Sequence, residues 1–178
     1  MEKELNNRAE QLGSLLQARG LSLSLAESCT GGLGAEIITR VAGSSAWFEC
    51  AVVSYSNASK VNLLKVASDT LDKFGAVSEQ TAVEMASGVM AISGSQLSAA
   101  VTGIAGPAGG TQAKPVGTVC FAWLGQNQAS RSTTAHFNGS RQEIRQQSAK
   151  TLIEGLIALT LSLDLCNNYR LLNAIKTT

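Results

Sequence analysis

What this chain lacks narrows its chemistry before any motif is read. It has a single histidine, His136, so no multi-histidine metal site can be built from it. That histidine falls in a polar, threonine-rich stretch, where a surface or edge position is expected and not a catalytic one. The four cysteines, Cys29, Cys50, Cys120 and Cys166, contain no C-x-x-C pair, which excludes a zinc knuckle and a redox dithiol. Reduced thiols in a cytosolic protein are the expectation. No apolar run approaches the roughly 18 residues of a membrane helix, and MEKELNNRAEQLG is no secretory leader. Charge is also scarce, at 15% of residues with a net value of +1, and no Lys/Arg stripe exists to grip nucleic acid. The phosphate and nucleophile signatures G-x-x-x-x-G-K-[ST], G-x-G-x-x-G and G-x-S-x-G are all missing. Tyr55 and Lys60 do not have Y-x-x-x-K spacing.

What remains is a globular composition, 44% apolar over 178 residues, enough for one domain with a three-layer core. Its uncharged polar surface is compatible with a homo-oligomer, a dimer or larger. Leu5, Ala9, Leu12 and Leu16 recur at helical spacing up to Gly20. Leu21, Leu23 and Leu25 alternate with serines as a strand, and a helix fits from Gly32 to Val41. The uninterrupted Ala51-Val52-Val53 predicts a strand over Cys50 to Tyr55 that is covered on both faces. Short helical pieces follow over 61–74. Ser78 then caps a helix carrying Ala82, Met85, Ala86, Val89 and Met90.

Leu97 to Val101 and Val116 to Leu124 read as strands, the second turning through Gly125-Gln126-Asn127 into a polar edge strand near 129–137. Ser140-Arg141-Gln142-Glu143 is a capping box opening a last helix with Ala149, Leu152, Ile153 and Leu156 on its buried face. Residues 1–164 form one domain on this reading, and 165–178, without a clear period, form an appended turn or tail. The order predicts an α/β fold, a three-layer α/β/α arrangement on a mixed sheet of about five strands.

Three polar or glycine-rich segments follow the early strands: Glu27 to Gly32, Tyr55 to Lys60 and Thr102 to Gly110. Parallel strands would bring all three to one rim, where ligands of open α/β sheets sit. Thr30, Gly31 and Gly32 run into a helix N-terminus whose N–H groups suit an anion, and Thr102 and Gly103 open the third loop. A serine hydrolase without a usable histidine needs another base, and a buried neutral lysine can supply it. The candidates are Ser28, Ser44 and Ser45 for the nucleophile and Lys60 for the base. Arg141, in the first turn of the last helix, could clamp a phosphate. Trp47 and Phe48 read as core anchors.

AESCTGG at 26–32, AGSSAWF at 42–48, VSYSNASK at 53–60, GAVSEQT at 75–81, VTGIAGPAGG at 101–110 and KPVGTV at 114–119 together resemble the CinA C-terminal family. The resemblance runs from about residue 5 to residue 160. It implies hydrolysis of the carboxamide of nicotinamide mononucleotide to the acid and ammonia, by a Ser/Lys pair with no metal and no cofactor. By motif, Ser45 would be the nucleophile, Lys60 its base and Tyr55 their support. Ser28 and Thr102 would line the substrate site, and Arg141 would hold the phosphate. Topology raises a difficulty for this carry-over. Ser45 precedes its strand and so falls at the wrong rim, unless residues 43–49 fold back, the strand direction differs or a second subunit completes the site. Ser28 is the alternative nucleophile. A catalytically silent nucleotide-binding relative and a competence-linked interaction module are the rival readings, and the joint presence of Ser45 and Lys60 weighs toward activity.

Overall fold

The computed structural model describes the backbone over residues 2–126 and 130–175, and side chains as far as Leu163. The elements are α1 (Glu2–Arg19), β1 (Leu23–Glu27), α2 (Leu33–Thr39), a 3-10 turn (Ser44–Ala46) and β2 (Phe48–Val53). They continue with α3 (Asn57–Leu64), α4 (Ser68–Phe74), α5 (Glu79–Ser93), β3 (Leu97–Gly103), β4 (Thr118–Gly125), β5 (Arg131–His136) and α6 (Arg141–Ile175). The strands form one five-stranded sheet in the order β2-β1-β3-β4-β5. β1 is parallel to β2 and β3, whereas β4 is antiparallel to both of its neighbours. The expected mixed sheet in an α/β/α fold is what forms.

Strand alternation builds two cores. Leu23, Leu25, Ala99, Val101, Val119, Phe121 and Trp123 face α1, α2 and α6. Ala26, Ala100, Cys120 and Ala122 face Leu64, Leu71 and the Ala82–Met85–Ala86–Val89 stripe of α5. Trp47 is the anchor expected of it. A Cβ on Gly13 of α1 would lie 2.8 Å from its ring, so the helix packs flat on the indole. Trp123 donates its Nε1–H to the Leu152 carbonyl at 2.9 Å, tying β4 to α6.

One strand expectation needs correcting. β2 is not covered on both faces. It is the sheet edge, its residues are half-exposed and Val53 is 45% exposed. An apolar run does not reveal which strand lies at an edge. β1, by contrast, is buried at all five positions, serine included. Ser24 lies 2.8 Å from the Ser95 hydroxyl, which satisfies the buried polar groups.

The caps form where expected. Ser78 accepts from the Thr81 N–H, and Ser140 and Glu143 bond reciprocally at the start of α6. The α6 backbone stays helical past Asp164, through the stretch expected as a turn or tail. Residues 127–129 of the β4–β5 connection, and 176–178, lie outside the described residues, as does the Cys166 side chain.

Candidate active site

β1, β2 and β3 all end at one rim, and the segments that follow them converge there. Backbone bonds hold the convergence: the Ser28 N–H donates to the Val101 carbonyl at 3.0 Å and the Ser54 N–H to the Glu27 carbonyl at 2.8 Å. After β2 the chain turns into α3 through a capping box, Ser56 with Ser59. The next residue is Lys60. Helical side chains lean toward their own N-terminus, which directs Lys60 back under the sheet rim.

Lys60 is only 1% exposed. Its Nζ donates to the Ser28 hydroxyl at 3.0 Å and to the Ser54 carbonyl at 2.7 Å. Among the described residues no carboxylate pairs with it. Burial therefore holds its ammonium below the ordinary lysine range, offset only in part by Cys29. Burial acts on Cys29 too, and with Glu27 nearby it pushes that thiol up to about 12. A thiol so placed is protonated near neutrality and is no competitor to the serine. The Thr30 and Ser54 hydroxyls are buried without a partner among the described residues.

The glycine turn after Ser28 is arranged differently from its sequence pattern. The N–H groups of Gly32, Gly34 and Ala35 donate to the buried Glu27 carboxylate at 2.9, 3.2 and 2.8 Å. The Gly31 N–H donates to the Ser28 carbonyl at 3.0 Å. The anion expected at this helix start is the protein's own side chain, so Gly31 and Gly32 shape the turn and offer a ligand no free donor. Gly32 has φ of +93°, a conformation that glycine adopts without strain. Thr102 is buried, and its hydroxyl donates to the Ala76 carbonyl at 2.8 Å. A Cβ on Gly103 would lie 2.8 Å from the Thr118 carbonyl oxygen, so glycine here permits close strand approach.

Arg141 stands over this rim from the first turn of α6. Its Nη1 donates to the Gly106 carbonyl at 2.8 Å and its Nη2 to the Tyr55 hydroxyl at 2.7 Å. Tyr55 is 59% exposed and ties the segment after β2 to α6 across the mouth, while Arg141 itself reaches on to the third loop; among the described hydrogen bonds none joins Tyr55 to Lys60. Arg145, one turn further on, donates from Nε and Nη2 to the Thr30 carbonyl at 3.2 and 2.6 Å.

Ser45 is elsewhere. It is exposed in the 3-10 turn before β2, at the rim where the parallel strands begin. The Leu23 N–H donates to the Trp47 carbonyl beside it. The length of β2, roughly 20 Å, separates it from Lys60 within one chain. Residues 43–49 do not fold back along the sheet. The sequence reading passed over Glu27 and Arg145. A lone acidic residue ending an apolar strand just before a Gly-Gly helix start was the signal for the first. An arginine four positions after Arg141, on the same helix face, was the signal for the second. Among the described residues no group of three or more His, Cys, Asp or Glu could hold a metal ion, and no helix is long and apolar enough to cross a membrane.

The CinA C-terminal domain model matches residues 5–160. Nicotinamide-nucleotide amidohydrolase PncC of Enterobacter agglomerans is 47% identical over 148 residues, which is 83% of this chain and 90% of that protein. The protein of the same name from Escherichia coli K12 is 43% identical over 155 residues, covering 87% and 94%. Among solved structures, the competence/damage inducible protein CihA from Agrobacterium tumefaciens superposes with a TM-score of 0.85 at 42% identity, over 87% of this chain and 94% of that one.

Proposed function

The chain belongs to the CinA C-terminal domain family, and we propose that it is a nicotinamide-nucleotide amidohydrolase, cleaving the carboxamide of nicotinamide mononucleotide to nicotinate mononucleotide and ammonia in pyridine-nucleotide salvage. One observation carries the mechanism: a lysine Nζ, buried and unpaired by any carboxylate among the described residues, 3.0 Å from the Ser28 hydroxyl. Deprotonated Lys60 accepts the Ser28 proton as Oγ attacks the carboxamide carbon. The resulting tetrahedral intermediate collapses as Lys60 passes that proton to the departing nitrogen, which leaves as ammonia. Lys60, again neutral, then takes a proton from water. The hydroxide equivalent attacks the acyl-serine ester, and as that intermediate collapses Lys60 returns its proton to the departing Ser28 Oγ, which restores both groups; the acid released ionises to the carboxylate in solvent.

Burial serves this chemistry because a lysine near its free value of about 10.4 is almost wholly protonated at pH 7 and cannot act as a base. Arg141 has guanidinium donors beyond the two it uses on Gly106 and Tyr55, and these meet the substrate phosphate beside the free N–H groups of α6. Tyr55 keeps that guanidinium aimed across the mouth. Ser45 has no role in the chemistry of a single chain on this reading. The same proposal has the enzyme acting in the cytosol as a homo-oligomer, with the half-exposed edge strand β2 as one surface for a second copy to cover.

The test is to incubate chelator-treated protein with nicotinamide mononucleotide and follow ammonia together with the acid product. Equimolar release that disappears in Lys60→Ala is expected. Turnover that persists in that variant, or saturable binding of the nucleotide with no release, would overturn the proposal.

A further inference from the structure

The turn that presents Ser28 is gripped from two sides. On one side, the Glu27 carboxylate takes the N–H groups of Gly32, Gly34 and Ala35 and fixes where the turn enters α2. On the other, the only side-chain hydrogen bonds from another element to the backbone of the 28–31 turn, among the described contacts, come from Arg145. Its Nε and Nη2 both donate to the Thr30 carbonyl, and its guanidinium lies over Gly31, where a Cβ would sit 3.6 Å from Nη2. That carbonyl also accepts the Leu33 N–H at 3.3 Å, so Arg145 and the start of α2 meet on one atom. Arg145 is half-buried and shares the open cleft at the start of α2 with Leu33, Arg141, Gln142 and Gln146. Its described hydrogen bonds go to the Thr30 carbonyl and not to Ser28 Oγ or Lys60, so it acts through the backbone that carries the nucleophile.

We infer that Arg145 is a positioning residue for the deamidation, holding the 28–31 turn so that Ser28 stays within reach of Lys60 while Arg141, one turn earlier on the same helix, holds the phosphate end of the substrate. The inference rests on the reading of Ser28 as the nucleophile. Its physical content is that one rigid element, the start of α6, sets the distance between the phosphate subsite and the reacting oxygen. Remote binding energy is then delivered as orientation at the reacting centre. The guanidinium suits the task better than an ammonium would, because its fixed fork places two donors on one carbonyl.

The experiment compares Arg145→Ala, Arg145→Lys and Ser28→Ala by steady-state kinetics on nicotinamide mononucleotide, with a thermal melt of each. In Arg145→Ala, kcat is expected to fall between about 10-fold and 100-fold, with KM changed by less than about threefold, the pattern of lost orientation. Arg145→Lys should recover little of the rate. Millimolar guanidinium, which should not accelerate the parent enzyme, should restore part of kcat in Arg145→Ala by occupying the vacated position. A kcat within about twofold of the parent's, or a loss carried wholly by KM, overturns the inference. So does a folded Arg145→Ala that guanidinium cannot rescue, since that points to lost packing alone. Ser28→Ala separates the two layers. If it is inactive while Arg145→Ala is not impaired, only the inference falls. If it turns over normally, the reading beneath has failed.

Discussion

The two rims of the sheet each carry a candidate serine, and the proposed chemistry uses only one of them. At the rim where β1, β2 and β3 end, Ser28 sits beside a buried lysine, in a turn braced by Glu27 and Arg145. At the opposite rim, Ser45 lies exposed in a single 3-10 turn between glycine and tryptophan. A serine hydroxyl is a weak nucleophile in either place. The difference lies in the base, and a base can be built only where a lysine can be kept from water. Strand direction decides which rim that is, because the helix that carries buried Lys60 follows the end of β2.

Exchanging the two serines for alanine breaks the comparison most sharply. Ser28→Ala should lower kcat for nicotinamide mononucleotide by about a thousandfold or more, whereas Ser45→Ala should leave kcat within about twofold, both read from ammonia release. The reverse order would place the chemistry at the other rim, completed by a second subunit.

Lys60→Met is the next largest effect, a loss of about 10²-fold to 10⁴-fold, and it carries a second signature. Burial lowers the lysine pKa, so between the folded and unfolded values the unfolded chain holds a proton that the native protein does not. Stability from this group therefore rises with pH across that window, and below it the buried ammonium is a net cost. The inactive Lys60→Met should melt no lower than the parent near neutrality, and a clear fall in Tm would count against a strained buried base. In the parent, kcat/KM should rise along a limb centred below an ordinary lysine's value of about 10.4. A limb at that ordinary value would mean that Lys60 is not the base.

Smaller still is Arg141→Ala. It should raise KM for the mononucleotide by roughly 10-fold to 100-fold, the range of one charge-assisted contact, and change KM for the dephosphorylated riboside by less than about threefold. Equal losses on both substrates would move the phosphate away from α6.

The parts of this architecture that are local were legible in the sequence. The stripes of α1, α5 and α6 follow from helical period, and Ser78 and Ser140 announce their helices by what they cap. Sheet position was not legible. Ala51-Val52-Val53 has the composition of a central strand and lies at the edge, because sheet order is set by how the helices cross over. Lys60 was recognisable as a base candidate, since it closes a polar segment after an apolar strand. Its partner was harder to name. Ser28 and Lys60 are 32 residues apart, and Arg145 and Thr30 are 115 apart, so neither contact leaves a trace in spacing. The glycine turn was legible as a helix start with N–H groups in need of an anion. Only the folded chain reveals that Glu27 already fills that need, and for this reason the proposed function puts the phosphate at α6.

The central claim is that Ser28 forms the covalent bond to substrate, and trapping that bond tests it most directly. The methyl ester of nicotinate mononucleotide offers a better leaving group than ammonia, so the acyl-enzyme should accumulate during turnover. Acid quenching followed by peptide mass mapping should find the nicotinoyl nucleotide adduct on the peptide carrying Ser28, and its absence from that peptide in Ser28→Ala. An adduct on the peptide carrying Ser45 instead would contradict the assignment.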